Sequence, residues 1–558
     1  MRTISNFFGL ILGPILRECI GDLYFDEDED PDIVMKSLAL ILDCGHSKRD
    51  YKKTEKAANK KSKGKKGRVF SKYHEIEKAK KDCRPFGIVA TNDDVQVSLQ
   101  NMSDHTATRI LEDEQIARRI FQLAEENGGT LKVHCNVKLG IDGSNGLQTI
   151  NILVDDDEED DRHESQMVAT NFVAINMWAI VNGKIKVVYH NSLHNSSYGV
   201  RPLRHWYRKE NDVLEDEIAR IREEMKNLTE LEWADGISIK YVPFFTMNDQ
   251  KVMNAIFGNT DPHKCPICKA GRAQFKDIKS VYKANPEALA QLCYSSLHFG
   301  PRVMENLLKV GFYQDFQKYP CTGAENKELR AKRKKVIQKI LKKKLGVPVF
   351  EVRRNGGTSN TGNVARKLFK NSLVFSEAIG VCDDLVYRLF IIWITITSGL
   401  PICPDKFDKY CKITKDLYHE ECGWYPMVPT LHKVLEHGGD ILRLFPPELT
   451  AGMMSEEPAE ASNKDVKEFQ RNHSFQGNYK QKNLDVFHRM CDRSDPVVHR
   501  YFVKEKVDAR AKNDNIPQDV LELCINSEDL LKRMEVNKYS FEPESTAKQP
   551  ISSFFSNL

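Results

Sequence analysis

Three carboxylates in separate parts of the chain, Asp142, Asp249 and Glu460, are candidates to hold a pair of divalent cations. Two-metal phosphodiester chemistry needs carboxylates that converge from different segments on two ions about 3.5–4 Å apart. Mg²⁺ takes hard oxygen ligands and keeps several waters, so a few carboxylates suffice. Glu460 lies in SEEPAEASNKDVKEF, where Glu456 and Glu457 are competitors for the same role. Each carboxylate also has a plainer use. An Asp before Gly, as in Asp142-Gly143, commonly closes a turn, and an Asp before a helix, as at Asp249, commonly caps it. Spacing alone leaves both uses open.

A second group has softer ligands. Cys265-Pro266-Ile267-Cys268 offers two thiolates from one tight turn, which suits tetrahedral zinc and leaves two ligands to find. His432 and His437 in LHKVLEHGG have a spacing seen in two-histidine zinc sites, and His263, His298 and Cys293 are alternatives. A redox pair is the other use of C-x-x-C, but no thioredoxin-like βαβ pattern surrounds it. Four protein ligands would make a closed structural site rather than a catalytic one.

The elements that must position these residues are legible in part. Leu131, Val133, Cys135, Val137, Leu139 and Ile141 alternate with other residues, the period of a strand with one packed face, and Asp142 ends it. Two further strands are expected over residues 167–180 and 184–189, joined by an Asn-Gly hairpin in VNGK. A helix over 212–226 carries Leu214, Ile218, Ile221 and Met225 on one face, and a fourth strand over 236–245 leads to Asp249. Three antiparallel strands, a helix and a fourth strand is the order of ribonuclease-H-like folds, in which the first and fourth strands are neighbours. Many unrelated α+β domains share that order. Beyond Cys265 the pattern is mostly helical. It includes a basic amphipathic helix over 325–344, a candidate DNA-backbone contact, and an apolar helix over 385–400 interrupted by Arg388.

The composition, 41% hydrophobic and 29% charged, is that of a folded protein and argues against wholesale disorder. The length of 558 residues allows three or four packed units. No apolar run reaches the roughly 18–20 residues that span a bilayer. The N-terminal FFGLILGPIL faintly resembles a signal peptide, but it lacks a small-residue cleavage site and runs into FDEDEDPD. Fourteen mostly isolated cysteines suit reduced thiols. The formal charge of +4 hides a lumpy distribution, with DDDEEDD at 155–161 and a densely basic stretch from Lys48 to Lys66. That stretch reads as a polar tether, and Lys60, Lys61, Lys65 and Lys66 in it are candidates for a nuclear-import signal or a phosphate-binding arm.

Several landmarks in order then resemble the Transib transposases and the catalytic subunit of the V(D)J recombinase, recombination-activating protein one. They are IDGSNG at Asp142, VRPL at Val200, NDQKV at Asn248, CPICKA at Cys265, GNVARKL at Gly362, LHKVLEH at Leu431 and EASNK at Glu460. The resemblance covers roughly residues 110–480. It implies that Asp142, Asp249 and Glu460 form a catalytic triad for two Mg²⁺ or Mn²⁺ ions, and that Cys265, Cys268, His432 and His437 bind one structural Zn²⁺. It also implies that Arg366 and Lys367 lie near DNA. SEEPAEASNK has more carboxylates and one more residue than the family pattern, which keeps Glu457 open as the third ligand.

The fold implied is α+β, a ribonuclease-H-like catalytic core interrupted by a large helical zinc-binding insertion, with helical N- and C-terminal parts. Its expected divisions are 1–47 for DNA binding or dimerisation, 48–72 as basic linker, 73–127 as pre-catalytic helical region and 128–264 as the first part of the core. The insertion follows over 265–440, the second part of the core over 441–480, and a C-terminal region with a flexible tail over 481–558. The implied activity is cut-and-paste transposition in the nucleus. A homodimer would bind terminal inverted repeats in double-stranded DNA, nick them, form hairpins on the flanking DNA and join transposon 3′-hydroxyls to target DNA. The alternative is a domesticated zinc-containing DNA-binding protein without cleavage activity. Trp178, Trp206 and Trp424 are candidates to stack on an unpaired base, with core packing the commoner role. Outside the family pattern, KQPISSFF, which begins at Lys548 and ends at Phe555, resembles a peptide that docks on the replication sliding clamp.

Overall fold

Residues Leu131 to Ile141 alternate as a strand should, and in the computed structural model all six odd-numbered apolar side chains are buried. The structure describes residues 32–61, 68–145, 166–259, 261–276, 282–285, 295–349, 360–446, 448–501 and 516–525. They fall into two compact units, one within Met1–Arg84 and Arg500–Phe502, the other within Pro85–His499 and Val503–Leu558.

In the first unit, α1 (Ile33–Asp43), α2 (Lys48–Lys61) and α3 (Tyr73–Asp82) pack together. The stretch expected as a polar tether is therefore helical over α2, and the linker assigned to 48–72 needs correcting there. Lys, Glu and Ala are good helix formers. Two residues then pin the helix to the chain that follows. Tyr51 is fully buried, its hydroxyl donating to Ser71 O at 2.7 Å. The Asn59 amide donates to Phe70 O and accepts from the Val69 and Phe70 N–H groups. Of the candidate lysines here, Lys60 is exposed, while Lys65, Lys66 and the Lys61 side chain lie outside the described residues.

The second unit is a mixed α+β body. Its sheet has eight strands: β1 (Val89–Ala90), β2 (Asp94–Gln96), β3 (Leu131–Asn145), β4 (Gln166–Val181), β5 (Lys184–His190), β6 (Arg201–Trp206), β7 (Leu231–Ala234) and β8 (Ile237–Phe244). The spatial order is β1-β2-β6-β4-β3-β8-β7, with β5 also on β4. β3 is antiparallel to β4 and parallel to β8. β5 pairs with the C-terminal half of β4 and β6 with the N-terminal half. The β4–β5 turn places Asn182 and Gly183 at φ 52° and 72°, as the two-residue Asn-Gly turn requires. The region expected as helical before the core also contributes strands, since β1 and β2 extend the sheet through β6.

Helices cover the sheet and build the remainder. α4 (Leu99–Leu111) and α5 (Glu114–Glu126) precede β3, and α5 is capped by Asp113, whose carboxylate accepts from Gln115 and Ile116 N–H. α6 (Glu210–Lys226) buries Leu214, Ile218 and Ile221 and is followed, after β8, by the short α7 (Gln250–Ile256). Next come α8 (Ser296–Tyr313), α9 (Ala324–Leu345), α10 (Gly362–Phe369), α11 (Ser372–Ile379), α12 (Asp383–Thr397), α13 (Pro404–Cys422) and α14 (Pro429–Leu444). α12 is the apolar helix of the sequence. It is buried along most of its length, and its Arg388 reaches back to Asp384. α9 is the basic helix and buries only Ile337 and Leu341, ending at Gly346 with φ 64°. α15 (Glu457–Asn472) and α16 (Tyr479–Arg493) return to the sheet. No helix among the described residues is long and apolar enough to cross a membrane.

The even-numbered face of β3 is covered too, by chain that arrives over three hundred residues later. Lys138 is fully buried, donating to Ser455 O at 2.9 Å and to Asn195 Oδ1 at 3.0 Å. The Asn136 amide donates to Asn176 Oδ1 and to Glu448 Oε1. Gly140 gives room on the same strand. A Cβ there would stand 1.9 Å from Met247 O, and Met247 N–H donates to Leu139 O. That close approach lays the segment after β8 against β3. Gly140→Ala is expected to lower unfolding stability by about 1–3 kcal/mol through overpacking, read by chemical denaturation against wild type.

Candidate active site and metal centre

Asp142 lies near the C-terminal end of β3, and the backbone contact at Gly140 decides what stands beside it. Ile141 N–H donates to Asn248 Oδ1 at 2.8 Å, while the Asn248 amide donates to Phe245 O. The next residue, Asp249, caps α7 by accepting from Val252 N–H at 2.8 Å. The cap and the candidate ligand are thus the same residue, since a carboxylate has further lone pairs after accepting one bond.

The third segment enters on α15. Asn463 Nδ2 donates to Asp142 Oδ2 at 2.7 Å. Glu460, one helical turn earlier, has a largely open side chain, with His298 Nε2 of α8 at 3.8 Å from its Oε2. Its competitors are placed differently. Glu456 is buried and accepts from Ser295 Oγ at 2.9 Å, and Glu457 begins the helix. The charges that act on Asp142 are those of Asp249, Glu460 and Glu210.

Burial, followed by the negative charges of Asp249, Glu460 and Glu210, pushes the Asp142 carboxyl up to about 7, against the opposing hydrogen bond from Asn463. A cation placed among these groups would reverse the repulsion, and the donor set is all oxygen, so the residues fit a hard divalent ion. The three carboxylates do not close to within 4.8 Å of one another as the Cys/His group below does.

Sequence reasoning missed Glu210 and Asn463. Glu210 starts α6 and lies against Gly143, where a Cβ would stand 2.7 Å from its Oε2, and it accepts from Lys251 Nζ at 2.7 Å. No local pattern marks it. Asn463 had a signal, because it stands three residues after Glu460 and so shares its helix face.

The softer group assembles from two places 164 residues apart in sequence. Ligand atoms of Cys265, Cys268, His432 and His437 all lie within 4.8 Å of one another, and this is the one such group among the described residues. The knuckle is tied by Cys265 N–H to Ala270 O and by Lys269 N–H to Cys265 O, with Lys269 at φ 62°. Both histidines project from α14, and Cys268 Sγ lies 3.4 Å from His432 Nε2. His432 stacks on Phe275 at 4.1 Å between ring centroids.

Burial raises the Cys265 thiol, but hydrogen bonds from Cys268 and backbone N–H groups outweigh it and leave the thiol below its ordinary value. The bond to Cys265, followed by burial, pushes the Cys268 thiol up. Burial holds the His432 imidazolium below its usual range, favouring the neutral ring that ligates metal. His437 Nε2 is buried with no hydrogen-bond partner, an orphaned acceptor of the kind a metal satisfies. The set fits tetrahedral zinc and could hold it. Of the other candidate ligands, His263 is exposed, His298 sits by Glu460, and Cys293 is outside the described residues.

The remaining candidates are scattered. Arg366 and Lys367 are exposed on α10, the Arg366 guanidinium 5.7 Å from the Trp393 ring. Trp178 is a core residue stacked on His134, and Trp206 donates to Glu217 beneath Arg204. Trp424 is half-buried against Tyr425. The clamp-like peptide from Lys548 to Phe555 lies outside the described residues.

Two outcomes follow from these environments. Cys265→Ser or His437→Ala is expected to lower bound zinc from about one per chain to near zero, read by elemental analysis, with loss of thermal stability. The second concerns Asp142, whose folded-state value lies above its unfolded one. It favours folding below pH 4, and that contribution falls as pH rises from about 4 to about 7. Without added Mg²⁺ or Mn²⁺, Asp142→Asn should therefore unfold at higher denaturant than wild type at pH 8, by on the order of a few kcal/mol, and not at pH 4. No protein-family model matches this chain, and comparison with curated proteins finds no match either.

Proposed function

We propose that the chain is a metal-dependent DNA-cutting and strand-joining enzyme of the Transib transposase type, built on a ribonuclease-H-like core. The observation that carries the reading is convergence at the end of β3, where Asn463 of α15, one turn after Glu460, donates to Asp142 Oδ2 and Asn248, next to Asp249, accepts from Ile141 N–H. For the core, the support is strand order. β3, β4 and β5 run antiparallel in succession, β6 pairs with the other half of β4, α6 follows, and after β7 the strand β8 runs parallel to β3.

In this reading Asp142, Asp249 and Glu460 hold two Mg²⁺ or Mn²⁺ ions, which when bound activate the attacking oxygen and stabilise the leaving one. The protein's own work is positioning. Asn463 orients Asp142, Asn248 fixes the strand end against the segment that carries Asp249, and α15 presents Glu460. The reactions are successive displacements at phosphorus. Water nicks each transposon end, the freed 3′-hydroxyl forms a hairpin on flanking DNA, and the transposon 3′-hydroxyls attack target DNA. The Cys/His group, holding zinc, ties the knuckle after α7 to α14. Double-stranded DNA is the partner, engaged by a nuclear homodimer, with Arg366, Lys367 and the basic Lys60–Lys66 stretch near its backbone and the tail from Lys548 a candidate clamp ligand.

The experiment is cleavage of plasmid DNA bearing candidate transposon ends with Mg²⁺ or Mn²⁺. Asp142→Ala, Asp249→Ala and Glu460→Ala are each expected to lose nicks and hairpins by at least about a thousandfold while DNA binding remains. Glu457→Ala should keep activity, and its loss there with activity retained in Glu460→Ala would move the third ligand. Wild type that binds its ends and never cuts them would establish the non-cleaving DNA-binding protein instead.

A further inference from the structure

Helix α9 carries ten lysines and arginines against two glutamates, a net of +8, where the whole chain has +4. Half of those cations are engaged. Lys332 pairs with Glu328, Arg333 with Asp315 and Lys344 with Glu377, Arg330 donates to the Tyr313 hydroxyl, and Lys334 also has a partner. Of the other five, Lys335, Lys339, Lys342 and Lys343 are exposed and form no ion pair among the described residues. Steps of three and four residues put these four on one face, away from the buried Ile337 and Leu341.

The row continues onto a second helix. Nζ of Lys367, on α10, lies 3.9 Å from where a Cβ on Gly346 would stand, at the C-terminal end of α9. Lys367 is exposed and likewise forms no ion pair among the described residues.

Like charges three and four residues apart destabilise a helix. The helix dipole favours Lys342 and Lys343 in the last turn, but its effect fades before Lys339 and Lys335. A line of phosphates along the five ammonium groups would neutralise them all. From Lys335 to Gly346 the helix rises about 16 Å at 1.5 Å per residue. One strand of a DNA duplex presents about five phosphates over that axial length. Gln338, the one amide between these lysines in sequence, donates to Val349 O, which leaves no side chain in the row to read a base edge. A membrane surface fits less well. An interfacial helix needs a row of large apolar side chains, and α9 exposes only Leu329 and Val336.

We propose that Lys335, Lys339, Lys342 and Lys343 of α9, with Lys367 of α10, form a docking surface for the backbone of duplex DNA that does not read its sequence. The choice of duplex DNA rests on the phosphodiester reading of the carboxylate site; the match of charge and spacing to phosphate does not.

The test measures binding of the full chain to a fluorescent duplex of about 30 base pairs, without added Mg²⁺ or Mn²⁺, over a salt series. Lys335→Ala, Lys339→Ala, Lys342→Ala and Lys343→Ala combined should weaken binding by at least about tenfold and make the slope of log affinity against log salt shallower by about 3–4, since each lost phosphate contact removes about 0.9. Ala is a stronger helix former than Lys, so the helix is kept. The four matching changes to Arg keep the charge and should retain both affinity and slope. Lys226, Lys240, Lys409 and Lys480, exposed lysines on α6, β8, α13 and α16, supply the control. Changed together to Ala they remove the same charge and should leave the slope within about 1 of wild type. A wild-type slope in the α9 variant overturns the docking surface, and so does an equal loss in the control, which would make the effect one of net charge. Vesicles containing phosphatidylserine are the competing probe. Vesicle binding that needs the four α9 lysines, with duplex binding unchanged by their loss, overturns the DNA assignment. Cleavage is not read, so a chain that never cuts DNA but loses slope in the α9 variant keeps the docking surface while losing the enzyme reading.

Discussion

The structure of the larger unit depends on the need to satisfy the polar face of β3. Asn136 and Lys138 are buried at the centre of the sheet, and a buried amide or ammonium without hydrogen bonds would cost several kcal/mol. Their partners are Asn176 and Glu448 for one, Ser455 O and Asn195 for the other. Two of those lie more than three hundred residues along the chain. Meeting this requirement draws the 448–456 segment across the sheet, and the helix that follows can then only start beside the end of β3. Asn463 reaches Asp142 because Ser455 has already been placed.

Two groups of candidate ligands of different chemistry stand in the one unit. At the end of β3 the polar groups are oxygens, and burial together with the like charges of Asp249, Glu460 and Glu210 favours the protonated form of Asp142. At the Cys265 knuckle the ligands are sulfur and neutral imidazole, already close and largely screened from water. The first arrangement is crowded in like charge and open at Glu460. The second is closed, as a structural fastening should be. Its two halves flank the long helical stretch between α7 and α14, so a metal there would set where that stretch begins and ends.

Small residues set how near the pieces come. Gly140 admits the Met247 carbonyl, Gly143 admits Glu210, and Gly300 admits the Trp393 ring, each at a distance where a Cβ would collide. Two of these three contacts are at the end of β3, where three chain segments meet. Close backbone approach there brings charges together that side-chain packing alone would keep apart.

Much of this was legible locally. Alternation marked β3, Asn-Gly marked the β4–β5 turn, apolar spacing marked α6, and Cys265 with Cys268 marked a knuckle, because each depends on neighbours a few residues away. The helix over Lys48–Lys61 was not, since its stability comes from Tyr51 and Asn59 gripping residues 68–71, contacts that a charge pattern hides. Glu210 was not either, for it acts on Asp142 only after α6 has folded over the sheet. The sequence by itself determined which residues had the right chemistry: three carboxylates, two thiols, two imidazoles and a surplus of lysine. Tertiary structure alone decided that Glu460 and not Glu456 shares its field with Asp142, and that His432 and His437 rather than His298 face the thiols. Convergence of distant segments is set by burial and hydrogen bonding across the whole unit, and no local stretch of residues encodes it.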